Sequence, residues 1–260
     1  MKITIITSNK NRHNYFINEL NKISSELFVI QECREMISLP ENTKNKINIK
    51  KYFNKVQKAD EFFFKPCFIS SKKKINILSL KFGDIKNIKL NKFDKFFKSN
   101  IYIVFGSSFL KGKLLNFLIR KKAINIHMGL SPYYRGADCN YWALKDKNLH
   151  LVGATIHKLS KDLDGGDIIK YVNPTYNLDP FIFTMSVVKN SIDEIVRLIR
   201  SKKIDKIQTK KQNLLKQIRC TKKKDFYREN LKDIFKLKIK KKLFFQKKFG
   251  DLKITNLIDI

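Results

Sequence analysis

The sequence predicts an open, mostly parallel α/β sheet with helices on both faces and a small C-terminal extension. Three observations carry this. The chain opens on KITIIT (2–7), a β-branched apolar run, followed at once by apolar residues at helical spacing. The same strand, turn and helix order returns in IYIVFGSSFLKGKLLNFLI (101–119). From about residue 203 the composition shifts to a Lys-rich tail. A chain of 260 residues suits one Rossmann-like domain plus an appendage, at about 100–200 residues per domain. We divide it at 1–202 and 203–260.

Each element has its own justification. After the first strand, Tyr15, Phe16, Leu20 and Ile23 mark a helix from about Arg12 to Ile23. Its N-terminus lies at the strand's carboxyl edge, where ligands bind in such sheets and where a helix favours anions. Asn11, Arg12 and His13 are therefore candidates for an anionic substrate, although a capped helix with solvated polar residues explains them equally well. SELFVIQE (25–32) reads as a second strand. Residues 33–60 are polar with little period and suit a loop, a short helix or both. The Phe trio of ADEFFFKPCF is expected in the core. KINILSLKFGDI (74–85) gives a strand and a turn, and Phe93 to Phe97 a short amphipathic helix.

Arg120 to Lys122 close the helix of 101–119 with positive charge, which suits its dipole. Ala123 to His127 is the central strand. ADCNYWALKDK is expected to form a helix with Trp142 as a packing residue, and HLVGATIHKL (150–159) a strand. His157 on it faces either the core or the cleft, the core reading being favoured. LDGGDIIKYV turns back into a strand, and 181–201 make the longest helix.

Bulk properties bound the function. The net charge of +32 would suit polyanions such as RNA, nucleotide sugars, polyglutamylated folate or anionic membrane. Lysines are spread over the whole chain together with many Ile, Asn and Phe, which favours compositional drift instead. Cys33, Cys67, Cys139 and Cys220 form no CxxC pair, so neither a zinc site nor a disulfide framework is indicated. No signal peptide is apparent, and apolar runs fall far below the ~18 residues that span a bilayer. The expectation is a soluble cytoplasmic protein.

The chemistry concentrates in INIHMGLSPYYRG (124–136) and GATIHKLSKDLDGGDII (153–169). Asn125 and His127 lie two apart on a strand, so their side chains point to one side. At a cleft both would reach one reacting carbonyl. Asp164 lies in a glycine-flanked loop, where backbone and carboxylate can both approach a ligand. An amide N–H suits an oxyanion, an imidazole can donate or shuttle a proton, and a carboxylate can hold the imidazole charged or accept a proton through water. Metal ligation is not implied.

The order Asn-Ile-His, Leu-x-Pro-x-Tyr-Arg-Gly, Gly-x-Thr-Ile-His and Leu-Asp-x-Gly-Asp resembles the formyltransferases that use N10-formyltetrahydrofolate. The resemblance covers roughly residues 100–170. It implies formyl transfer to a primary amine, with Asn125, His127 and Asp164 catalytic. It implies a pterin pocket at Phe105, Gly106, Ser107 and Leu110, with backbone contacts from Leu163 and Gly165. Tyr133, Tyr134 and Arg135 would shape the acceptor side. The chain departs from the pattern in two places. No Gly-rich loop follows the first strand, which argues against glycinamide ribonucleotide as acceptor. Met128-Gly129 stands where Pro often follows the His, and Gly129 is expected to loosen that turn. The short tail, too small for the barrel that tRNA formyltransferases attach, favours a nucleotide-linked amino sugar of a surface polysaccharide. Charged initiator tRNA is the alternative acceptor, and a homodimer is an open one for assembly.

Overall fold

The computed structural model describes residues 1–34, 43, 45–70, 74–204 and 206–240. The apolar-basic end of the tail, and residues 35–42 and 44 of the polar stretch, lie outside them.

The first half alternates strand and helix: β1 (Lys2–Ser8), α1 (Asn11–Ile23), β2 (Glu26–Cys33), α2 (Lys46–Phe64), β3 (Ile75–Lys81), β4 (Ile101–Phe105) and α3 (Gly112–Arg120). There follow β5 (Ile124–His127), β6 (Tyr134–Gly136), α4 (Cys139–Lys145), β7 (Ala154–Lys158), β8 (Ile168–Val172), α5 (Pro180–Arg200), β9 (Arg219–Thr221) and α6 (Lys223–Tyr227). Seven strands form one sheet in the order β3-β2-β1-β4-β5-β7-β8. β1 to β5 pair in parallel, and β7 runs antiparallel to both β5 and β8.

Strand alternation explains the layers. Ile3 and Ile5 point to one face and meet Phe16 and Leu20 of α1 and the apolar side of α5. Ile6, Tyr102 and Val104 point to the other and meet Leu114 and Leu118 of α3. Helices therefore cover both faces, as predicted, and strands buried on both sides read as continuous apolar runs. Asp179 caps α5 by accepting from the N–H groups of Phe181 and Ile182, with Pro180 at the first helical position. Among the described residues no helix is long and apolar enough to cross a membrane.

Several elements differ from expectation. The polar stretch holds a 19-residue helix, α2, whose Ile49, Phe53, Val56, Ala59 and Phe63 share a face at helical spacing and pack on the core. Lysines and asparagines between them dilute the pattern. Of the Phe trio only Phe64 is buried; Phe62 is 65% exposed. Residues Leu90–Phe97 are 3-10 rather than α, broken at Phe93. The strand expected over 150–159 shortens to β7, preceded by a 3-10 turn at Leu149–Leu151.

The C-terminal extension packs onto the sheet domain. β9 pairs in parallel with β6. Phe226, Leu231 and Ile239 are fully buried in the same core as α1 and α5. The Phe226 ring lies 4.9 Å from that of Tyr52 and 5.0 Å from that of Tyr141, joining α6 to α2 and α4.

Candidate active site

β5 ends at the carboxyl edge of the sheet, between β4 and the β7–β8 hairpin. Its alternation puts Asn125 and His127 on one side. The loop between β7 and β8 brings Asp164 to them: His127 Nδ1 is 3.3 Å from Asp164 Oδ2, and Asn125 Nδ2 is 3.5 Å from Asp164 Oδ1. The three residues expected to be catalytic thus meet at one point.

Each is held from behind. His127 Nε2–H donates to the Tyr134 carbonyl at 2.9 Å, so its other ring nitrogen faces the carboxylate. The Gly136 N–H donates to Asp164 Oδ2 at 2.9 Å. Asn125 Nδ2 donates to His157 Nε2 at 3.0 Å, directly across the β5–β7 register. His157 Nδ1–H in turn donates to the Lys158 carbonyl at 2.8 Å, leaving Nε2 as acceptor. Burial pushes the His157 pKa down to about 4 against the pull of Asp164, so the ring is neutral at pH 7. A neutral acceptor there fixes the Asn125 amide with nitrogen, not oxygen, toward the site. One amide N–H is used on His157. The other makes only a long contact to Asp164 and is the donor open to a developing oxyanion.

His157 was expected to favour the core. It is buried, yet it touches Asn125 and belongs to the site. The pairing of β5 with β7 is the signal that finds it.

The turn after His127 is tight rather than loosened by Gly129. A Cβ on Gly129 would stand 2.5 Å from His127 Nε2 and 2.5 Å from Cys139 Cβ. Glycine is what lets this backbone lie against the imidazole.

The residues expected around a pterin lie on two loops of the same edge. Phe105 and Leu110 are buried, while Gly106 is exposed and Ser107 half-buried. On the other loop Leu163 is exposed and Gly165 half-buried. Gly106 has φ +74°, and its missing Cβ would fall 2.4 Å from His13 Cε1. His13 therefore supports this turn from below. Thr7 Oγ1–H donates to the Phe105 carbonyl at 2.8 Å and accepts from His13 Nδ1 at 2.9 Å. Burial, and then Arg12, Arg34 and Lys10, drive the His13 pKa well below its ordinary value. From the opposite side Glu32, fully buried, accepts from Ser108 N–H, Ser108 Oγ and Gly83 N–H at 2.6, 2.8 and 2.8 Å. Sequence reasoning missed Glu32 altogether.

The expected acceptor residues divide. Asn11 Oδ1 accepts from Cys67 N–H, and Arg12 pairs with Asp60 at 2.9 Å. Tyr134 is buried, donating to Asp146 and accepting from Asn148. Arg135 reaches the Leu163 carbonyl at 2.7 Å. Tyr133 is half-buried, its carbonyl accepting from Ile218 and Arg219 N–H. Trp142 is packed in the core with the Arg219 guanidinium over its ring. Beside Met128 and Gly136 opens a cleft of about 210 Å³, walled by Tyr52, Asp138, Tyr141, Phe181 and Thr184. Among the described residues no cluster of three or more His, Cys, Asp or Glu is placed to hold a metal ion.

An amide donor, an imidazole and a carboxylate thus converge at the carboxyl edge of an open α/β sheet, a set that is chemically able to serve transfer of a carbonyl group. Residues 94–175, which hold Asn125, His127 and Asp164, match the family described as Formyl transferase. Solved structures share the fold. A 4-N formyltransferase from Francisella tularensis is 21% identical over 86% of this chain and 77% of its own, with a TM-score of 0.52. A phosphoribosylglycinamide formyltransferase from Anaplasma phagocytophilum is 16% identical over 80% and 88%, TM-score 0.52. An N-formyltransferase from Helicobacter canadensis is 14% identical over 86% and 72%, TM-score 0.53. No curated protein matches the chain.

Proposed function

We propose that the protein transfers a formyl group from N10-formyltetrahydrofolate to the amine of a nucleotide-linked amino sugar. The observation that carries the transfer is the convergence of Asn125, His127 and Asp164 within hydrogen-bonding reach. The folate, when bound, supplies an electrophilic formyl carbon. Asn125 N–H is the donor for the oxygen that gains charge, His127 Nδ1 faces Asp164, and Asp164 takes the amine proton through a water.

The rim suits a flat, partly apolar donor. Phe109 is 69% exposed on the loop after β4, and Leu163 is 39% exposed across β5. Large apolar side chains left in solvent at a site edge point to a ligand. Glu32 and His13 hold the same loop rigid, which supports placing the pterin at Phe105, Gly106, Ser107 and Leu110, with Leu163 and Gly165 opposite.

The acceptor side suits an anion attached to a ring. Lys10, Arg12 and Arg34 gather near the start of α1. Burial, then Arg12 and Arg34, lower the Lys10 pKa, and burial is also the main cause lowering Arg34. Arg34 also feels Asp138 and Tyr227 electrostatically, which relates this cationic group to the cleft. Phosphates at the cations and a sugar in the cleft would bring an amine to Asp164. The H. canadensis structure is described in complex with folinic acid and dTDP-3-aminofucose, a pairing of the same kind. Neither charged tRNA nor a homodimer gains an observation in its favour.

The test is tetrahydrofolate release with a panel of amino-sugar nucleotides beside charged initiator tRNA. Asn125→Ala and Asp164→Ala should each lower turnover by on the order of a hundredfold, the usual loss for an oxyanion donor. Near-normal rates in both variants would overturn the site. Turnover with the tRNA alone would overturn the acceptor.

A further inference from the structure

We propose that the C-terminal extension is a clamp on the catalytic loop, with Gln212 as the positioning residue for Asp164. The inference rests on the formyl-transfer reading only for what Asp164 does chemically.

Asp164 has φ +50°, the left-handed region that a residue with a Cβ enters at a cost. A loop in that state must be held by its surroundings. Gln212 Nε2 donates to the Asp164 carbonyl at 2.9 Å and to the Gly166 carbonyl at 2.7 Å. Two positions before it, Lys210 exchanges both backbone bonds with Ile168 at 2.8 and 2.9 Å, which fixes the extension in register with the start of β8. On the other side of the loop, Arg135 Nε donates to the Leu163 carbonyl, and its Nη1 is braced by Gln217 Oε1 at 3.0 Å. β9 pairs with β6, whose Gly136 N–H holds the Asp164 carboxylate. Arg219 locks β9 through a bidentate pair with Asp146, both contacts 2.6 Å.

The carbonyls of Leu163, Asp164 and Gly166 are thus each held by a side chain that the extension contributes or braces. A primary amide suits the central task. Its two N–H groups span two carbonyls, and it adds no charge beside a carboxylate whose own charge matters. Within these contacts Gln212 touches backbone only, so its effect must pass through the loop.

The experiment compares wild type, Gln212→Ala, Gln212→Glu and, as control, exposed Lys211→Ala. Residue-resolved amide exchange and steady-state kinetics are read on the full chain. Loss of two ordinary hydrogen bonds predicts roughly tenfold faster exchange over residues 162–168 in Gln212→Ala, with β1 and β4 unchanged. Gln212→Glu, which turns a carboxylate toward the carbonyls, should be worse. kcat should fall about tenfold with acceptor KM within about twofold, the signature of a group lost only in the transition state. Lys211→Ala should match wild type. Unchanged loop exchange, or faster exchange spread evenly over the sheet, would overturn the clamp. Exchange needs no acceptor. A wild type silent in the formyl assay would therefore count against the formyl-transfer reading, while the exchange data still decide the clamp.

Discussion

Glu32→Gln is the sharpest test of how the loop proposed for the pterin is built. The carboxylate is fully buried and accepts three bonds, two on Oε1 from Ser108 Oγ and Gly83 N–H, and one on Oε2 from Ser108 N–H. Glutamine keeps the shape but has one acceptor atom. Its better orientation leaves the carbonyl serving Ser108 Oγ and Gly83. The NH2 then faces the Ser108 N–H where an acceptor sat at 2.6 Å. One charge-assisted bond of about 1.5–3 kcal/mol is lost and a buried N–H loses its partner, at about 1–3 kcal/mol. Removing a buried charge returns part of this. A net loss of about 2–4 kcal/mol follows, or roughly 5–15 °C in Tm for a chain of this size. Urea and thermal unfolding, followed by the fluorescence of the sole tryptophan, Trp142, measure it. The folate KM should rise in parallel, because the loop that Glu32 holds is the one assigned to the pterin. A variant within about 0.5 kcal/mol of wild type, the scatter of neutral surface changes, would refute the role of the carboxylate as hub.

Other outcomes follow from the same buried groups. His157, pushed down to about 4, and His13, pushed well below its ordinary value, both owe the shift first to burial. In the unfolded chain each takes a proton near pH 6.5 while the folded protein does not, so stability is present above that pH and is lost as pH falls toward 4. His157 alone accounts for about 3 kcal/mol by pH 4, and a urea midpoint that stays flat from pH 7 to 5 would contradict it. Phe226→Ala removes a fully buried ring from between Tyr52 and Tyr141. It should cost about 3–5 kcal/mol, whereas a loss under 1 kcal/mol would mean that the extension is not part of the core.

What the sequence reveals and what it hides divide along contact range. β1, β2 and β4 are legible because strands buried on both faces must be largely continuous apolar runs. Asn125 and His127 are legible because alternation along one strand is a local rule. α2 was obscured by its own surface: a helix that buries a narrow face and shows lysines elsewhere dilutes its period. The supports of the site are of another kind. His157 meets Asn125 across 32 residues, Gln212 meets Asp164 across 48, and Glu32 meets Ser108 across 76. No periodicity encodes which strand end will neighbour which loop. One partial signal existed. In LFVIQE a glutamate closes an apolar run at the carboxyl end of a strand, and an acid carried into the edge of a core must be met by donors. The nearest donors at that edge are loop amides, and the loops there are the ones that bind. An acid that closes an inner apolar strand, as Glu32 closes β2, is therefore a partial sequence signal for an anchored loop, while the identity of that loop, here the one with Ser108, comes only from the fold.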